Sequence, residues 1–249
     1  MHITAVKNLN EHNCNVCSCQ GGCLGRTLVQ DPSFYQRWTH SGKILRKGEH
    51  IFRAGEHTEA FFVVRSGSVK SYMTSEDGEE QVLGFYLPGD IFGLDANEHE
   101  ARLTSAVAME TSSVCRFPHN QLSKQAVGAN LLKISVAQIQ RDHNLLLTLA
   151  RKDADGRIAS LLVDLAIRHE VMGYSGKAYL LPMSRQDIGS YLGLAVETVS
   201  RVFTRFQEAG VLKVNRREVE ITDHHSLRRI AGARLELTGA RRVVELALV

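Results

Sequence analysis

Proline is scarce in this chain, four in 249 residues with no tract biased toward it, which excludes Pro-rich linkers. No apolar run approaches the ~18–20 residues needed to cross a bilayer, so no membrane partner is expected. The opening residues Met1 to Leu9 lack a basic segment followed by an apolar one, and no secretion signal is expected. A strong charge of one sign is absent as well: 30 Lys+Arg against 27 Asp+Glu leave +3. What is present is ordinary globular material, 43% hydrophobic and 23% charged, enough for a core and too apolar for a disordered chain. The length admits one large domain or two modest ones.

The modest charge is unevenly spread. Residues 1–150 carry 14 basic and 15 acidic side chains, and residues 151–249 carry 16 and 12. A basic C-terminal part beside a neutral N-terminal part hints at an anionic partner. Cysteine is also uneven: of five, Cys14, Cys17, Cys19 and Cys23 lie within ten residues, and Cys115 stands alone. In a reducing compartment such clustering points to metal binding rather than disulfides.

Residues 1–30 have no regular period, with Gly21-Gly22 in their midst. From about 43 to 118, short apolar or alternating runs recur between glycines: His50–Arg53, Ala60–Arg65, Ser68–Thr74, Gln81–Leu87, Ser105–Met109 and Val114–Phe117. This spacing predicts a sandwich or jelly-roll barrel, with Asp77-Gly78 as a hairpin turn. Beyond 119 the period changes. Leu132, Ser135, Ile139, Asp142, Leu146 and Leu149 follow one another at steps of three and four, an a/d heptad seam. One long helix is expected, its seam a dimer interface or a face packed on the chain's own barrel. Asp142 in that seam either meets its symmetry mate, where like charges oppose association, or turns out to solvent. A second periodic helix covers 153–170.

The stretch Met183 to Leu212 reads MSRQDIGSYLGLAVETVSRVFTRFQEAGVL. Ser184 is an N-cap with Asp187 completing a variant capping box. A short helix to Leu192, a turn at Gly193 and a second helix from Val196 to Glu208 make a helix-turn-helix. Val211–Val214 and Val219–Ile221 form a hairpin wing. The second helix would enter the major groove of double-stranded DNA, exposing Val196, Glu197, Ser200, Arg201 and Arg205. Arg201 can read guanine bidentately, and Glu197 can accept from an exocyclic amine. Ser184, Arg185, Thr198 and Arg205 suit phosphates, which position rather than specify. An ordinary helical hairpin with solvated charges is the alternative. No Ser/His/Asp set, phosphate-cradling loop or HExxH motif appears, so no enzyme is expected.

On these residues the chain resembles the CRP/FNR superfamily of bacterial transcription regulators, specifically its FNR branch. The resemblance runs from about Cys14 to Ile221 and is strongest over residues 189–207, where the recognition signature Glu-x-x-Ser-Arg stands as Glu197-Thr198-Val199-Ser200-Arg201. Arg65-Ser66-Gly67-Ser68-Val69-Lys70 and Gly89-Asp90 also match. The implied fold is α+β: a cysteine-rich segment (1–30), a β-roll sensory domain of cyclic-nucleotide-binding type (31–118), a dimerisation helix (119–150) and a winged helix-turn-helix domain (151–249). The implied target is the palindrome TTGAT-N4-ATCAA. The cyclic-nucleotide branch clamps its ligand with a Glu and an Arg-Ser pair. Here Leu94 follows Gly93, and Thr104-Ser105 replaces Arg-Ser, so no cyclic nucleotide is expected; Arg102 is the nearest substitute.

Four thiolates suit either a [4Fe–4S] cluster or a structural zinc. The resemblance favours the cluster, with Cys14, Cys17, Cys23 and Cys115 as ligands and Cys19 left over. It further implies oxygen as the signal, a homodimer that forms when the cluster is intact, and contact with RNA polymerase near Asp77-Gly78-Glu79. A nitric-oxide-responsive relative, a zinc-stapled ligand sensor and an iron–sulfur electron carrier are the alternatives. The tail 234–249 lies beyond the resemblance.

Overall fold

The computed structural model describes residues 23, 40–41, 44–57, 60–95, 101–119 and 125–232. Among the described residues eight strands come first: β1 (His40–Ser41), β2 (His50–Phe52), β3 (Ala60–Ser66), β4 (Val69–Thr74), β5 (Glu80–Tyr86), β6 (Ile91–Phe92), β7 (Ser105–Ala108) and β8 (Ser113–Pro118). They pair as two antiparallel four-stranded sheets, β1-β8-β3-β6 and β2-β7-β4-β5. Between the sheets, the rings of Phe52, Phe62 and Phe92 pack with centroids 5.5 to 6.2 Å apart, among buried Val64, Val69, Ala106 and Val114. Each buried Phe or Val side chain contributes about 1.5–3 kcal/mol by leaving water. The six apolar runs of the sequence are β2, β3, β4, β5, β7 and β8. The two-residue β1 and β6 are too short to show alternation.

Helix α1 (Gln125–Arg151) follows, then α2 (Ala154–Val171), strand β9 (Ala178–Leu180), α3 (Arg185–Leu192), α4 (Val196–Glu208), β10 (Leu212–Asn215), β11 (Glu218–Ile221) and α5 (His224–Ala231). Asp153 caps α2, its side chain accepting from the Gly156 amide. The wing is a three-stranded sheet in the order β10-β11-β9, wider than the hairpin expected. At its tip Arg216 has φ +55°, a left-handed conformation uncommon outside glycine.

The second core runs through α2, α3, α4 and the wing: Ile158, Leu162, Ile188, Leu192, Val199, Val202, Phe203, Phe206 and Ile221. Val82, Phe85 and Leu87 of the β-roll belong to the same cluster, so the two domains share apolar contacts. A buried ionic hub joins them. Asp90 accepts from the Leu87 amide (2.7 Å) and from the Arg168 guanidinium, with Arg141 of α1 at 3.7 Å. Arg168 also donates to the Phe85 carbonyl at 2.8 Å. Burial opposes the Asp90 charge, but the two arginines outweigh it and hold the carboxyl below its usual range. No helix among the described residues is long and apolar enough to cross a membrane.

Candidate nucleic-acid interface

Helices α3 and α4 are set by local chemistry. Ser184 Oγ accepts from the Asp187 amide (3.0 Å), and Asp187 Oδ2 accepts from the Ser184 amide (2.9 Å), a complete capping box. Gly193 ends α3 in the left-handed region, φ +62°. Gly189 is required by closeness: a Cβ there would lie 2.5 Å from the Leu194 carbonyl oxygen. The turn is therefore fixed before any tertiary contact is counted. The inward face of α4, Val199, Val202, Phe203 and Phe206, is buried, while Val196, Glu197, Ser200, Arg201 and Arg205 face solvent.

The proposed contact residues are not equally disposed toward a ligand. Among the described residues nothing pairs with Arg201, whose guanidinium is exposed. Ser200 Oγ donates back to the Val196 carbonyl at 3.0 Å, and Thr198 is half-buried. Arg205 is paired with Asp155 at the start of α2. Arg185 lies over the Phe203 ring, 3.3 Å from its centroid, and that burial lowers its pKa. Ser184 is spent on the capping box. Two of the expected phosphate contacts, Arg185 and Arg205, are engaged within the chain.

Helix α3 is docked on the β-roll. Lys70 of β4 donates to Asp187 at 2.8 Å and to Glu80 at 3.1 Å. Ser190 Oγ donates to the Glu80 carbonyl and accepts from the Val82 amide, both at 2.8 Å, and Gln81 donates to the Ser190 carbonyl. Burial works against the Asp187 charge, but Lys70 and Ser184 outweigh it and depress its carboxyl. The sequence shows none of this latch, because its partners lie more than a hundred residues apart.

On α1, Ile134, Ala137 and Thr148 are buried against the chain. Of the heptad positions, Leu132 (67%), Ile139 (52%) and Leu146 (62%) are largely exposed; Ser135 and Leu149 are half-buried and Asp142 is exposed. Asp142 accepts from Gln138 at 2.9 Å, and its carboxyl is pushed up chiefly by desolvation. Of the candidate metal ligands, Cys14 and Cys17 lie outside the described residues, as does Cys19. Cys23 and Cys115 are both half-buried. Cys115 is on β8, paired in register with Val63 and Ser41.

In the β-roll, Arg102 is fully buried over the Phe52 ring, 4.5 Å from its centroid. It donates to the carbonyls of Gly93 and Ala60 and to Asp95 (3.1 Å). Thr104 donates to Asp95 through its hydroxyl (2.7 Å) and its amide (3.1 Å). The arginine nearest the family's ligand position thus already holds an internal carboxylate.

Comparison with known proteins matches residues 43–126 to the cyclic nucleotide-binding domain family and residues 156–230 to the Crp-like helix-turn-helix domain family. The chain is 40% identical over 237 residues to the transcriptional activator protein FnrA of Stutzerimonas stutzeri, covering 93% of this chain and 97% of that protein. The chain belongs to the CRP/FNR family, among its FNR/Anr-type regulators. It is 33% identical to the fumarate and nitrate reduction regulatory protein of Yersinia pestis, over 88% of this chain and 90% of that one. Among solved structures, FixK2 from Bradyrhizobium japonicum superposes with a TM-score of 0.70 at 31% identity, covering 77% of this chain and 96% of that chain. As a member of the FNR/Anr group this chain is a DNA-binding transcription regulator and not an enzyme.

Proposed function

We propose that this regulator is a cytoplasmic homodimer that binds TTGAT-N4-ATCAA palindromes when oxygen is scarce and thereby controls anaerobic or microaerobic transcription. The observation that carries the reading is the joint presence, in one chain, of an uncovered apolar seam on α1 and a solvent-facing reading helix α4. Two copies joined along Leu132, Ser135, Ile139, Asp142, Leu146 and Leu149 would set two α4 helices about one DNA turn apart, ~34 Å. In each copy Arg201 and Glu197 would read base edges, with Val196 and Ser200 beside them. Arg205, Arg185, Ser184 and Thr198 would meet phosphates once the intrachain contacts of the two arginines are exchanged for DNA.

The division of labour is 1–30 for cluster binding, 31–118 for sensing, 119–150 for dimerisation and 151–249 for DNA. The donor set fits a [4Fe–4S] cluster: four thiolates, with Cys14, Cys17 and Cys23 from one segment and Cys115 from a β-strand of the roll. When bound, the cluster supplies sensitivity to oxygen. The chain's own residues do the rest. Ligation by Cys115 would tie the N-terminal segment to β8, and the roll is tied to α1 through Asp90 and Arg141. The paired Asp142 carboxylates oppose the dimer, so the brace decides whether the seam closes. Cyclic nucleotide has no place in this reading, since Arg102 is committed to Asp95. The Asp77-Gly78-Glu79 turn is the surface offered to RNA polymerase.

The test is anaerobic purification with iron and sulfide analysis, followed by spectra during air exposure. A brown protein with about four irons and four sulfides per chain that bleaches in air is expected. A colourless, zinc-containing preparation would overturn the reading.

A further inference from the structure

One side chain bridges the end of α1 and the end of α3, the helix that leads into the reading turn. Arg157 stands in the first turn of α2, where a cation opposes that helix's own dipole. Acids suit such a site, and Asp153 and Asp155 are there. The guanidinium instead serves other helices. Its Nη2 donates to the Leu149 carbonyl (2.9 Å) and its Nε to the Lys152 carbonyl (3.0 Å), at the end of α1. Its Nη1 donates to the Leu192 carbonyl (3.0 Å) and reaches the Gly193 carbonyl (3.4 Å), at the end of α3. The last carbonyls of a helix have no partner within it, and they form its negative pole. One planar cation therefore caps two helix ends, that of the seam helix and that of the helix leading into the reading turn. Its neighbour Lys152 does the same for α5, donating to the Ala231 carbonyl at 2.6 Å.

We propose that Arg157 is a positioning residue that sets the angle between the dimer axis and the reading helix, and so selects the spacing of the two half-sites. The inference rests on the dimer-on-palindrome reading above. In such a dimer α1 lies along the two-fold axis, and each α4 is held relative to α1 by this joint together with the β-roll latch on α3. A tilt at the joint moves both reading helices together. Each added base pair shifts the half-sites by about 3.4 Å and turns them by about 35°, so a rigid joint tolerates one spacing and a loose joint several. Lysine keeps the charge but is a point donor, unable to fork across four carbonyls.

The test measures binding of anaerobically purified protein to palindromes with N3, N4, N5 and N6 spacers, and to a single half-site, at one salt concentration. Wild type is expected to prefer N4 over N6 by about tenfold or more. Arg157→Gln should bring that ratio within about threefold, and Arg157→Lys should fall between, with half-site affinity and dimer mass unchanged. Val64→Ala, a β-roll core variant that loses thermal stability away from the joint, should keep the wild-type ratio. A wild type without spacing preference would overturn the palindrome reading and this inference with it. A wild type that prefers N4, with both Arg157 variants preferring it equally, would overturn the inference alone.

Discussion

Helices α1 and α4 each leave one face uncovered, and the two faces are chemically opposite. On α1 the bare face is apolar, Leu132, Ile139 and Leu146, with a single acid, Asp142. On α4 it is polar and charged, Glu197, Ser200, Arg201 and Arg205. An apolar heptad stripe is satisfied by another helix of the same kind. A charged, hydrogen-bonding stripe gains nothing from such a neighbour and suits phosphates and base edges. One chain thus carries the demand for a second copy and the demand for DNA on separate helices, with the α2 joint and the β-roll latch between them. Each face can therefore be damaged without the other, which makes the two demands separable by mutation.

Damage to α1 should be the most severe. Leu146→Asp puts a charge in the seam, and palindrome affinity should fall on the order of 100-fold or more, because the second half-site no longer adds to the first. Analytical ultracentrifugation should find monomers, with the circular dichroism of the folded chain retained. Damage to α4 should be nearly as large and of another kind. Arg201→Ala should leave the dimer intact and cost ~1–3 kcal/mol at the guanine it reads, about 5- to 150-fold. The loss should vanish on a duplex already substituted at that base pair, as competition binding would show. Were both variants monomeric, the separation of the two faces would be gone.

Removing the acid from α1 sharpens the contrast in the other direction. Asp142→Ala should strengthen association about tenfold and yield dimers in air. In wild type the same acid should make association pH-dependent. Its carboxyl is already raised by desolvation, with Gln138, Arg141 and His143 opposing, and a mate across the seam raises it further. A group whose pKa is higher in the dimer takes up a proton on association. Dimers should therefore tighten as pH falls from neutrality toward that raised value, and Asp142→Ala should flatten the dependence. The smallest effect is expected at Arg205. Arg205→Ala removes one phosphate partner and should lower the slope of log affinity against log salt by about 0.9, with base preference unchanged.

How much of this was legible in the sequence follows from range. The capping box at Ser184 and Asp187, the Gly193 turn and the 196–208 span of α4 depend on residues within a few positions of one another, and they read correctly. So did the glycine-bounded strands of the roll. The heptad stripe left open whether its residues pack on the chain's own barrel; Leu132, Ile139, Asp142 and Leu146 are exposed, while Ser135 and Leu149 are half-buried because α1 also packs on its own chain. Arg185 and Arg205 read as free phosphate contacts, yet Phe203 and Asp155 hold them, partners that helical period does not reveal. The Arg157 clamp spans 35 residues and the Arg168–Asp90 pair 78. Neither type of arginine pairing has a local pattern, so both were invisible. Arg102 reads as the nearest substitute for the missing clamp, yet its side chain turns inward and donates to Asp95, a partner that the local sequence does not reveal.

On the proposed reading, closure of the α1 seam, governed by the cysteine-held group, switches DNA reading by α4. Its most direct test is fluorescence anisotropy on a labelled TTGAT-N4-ATCAA duplex, run with sedimentation velocity on the same anaerobic sample before and after measured exposure to air. Two chains per palindrome before exposure, and a joint fall in both dimer fraction and DNA affinity afterwards, is the predicted result. Unchanged binding in air by a protein that stays dimeric would contradict the account.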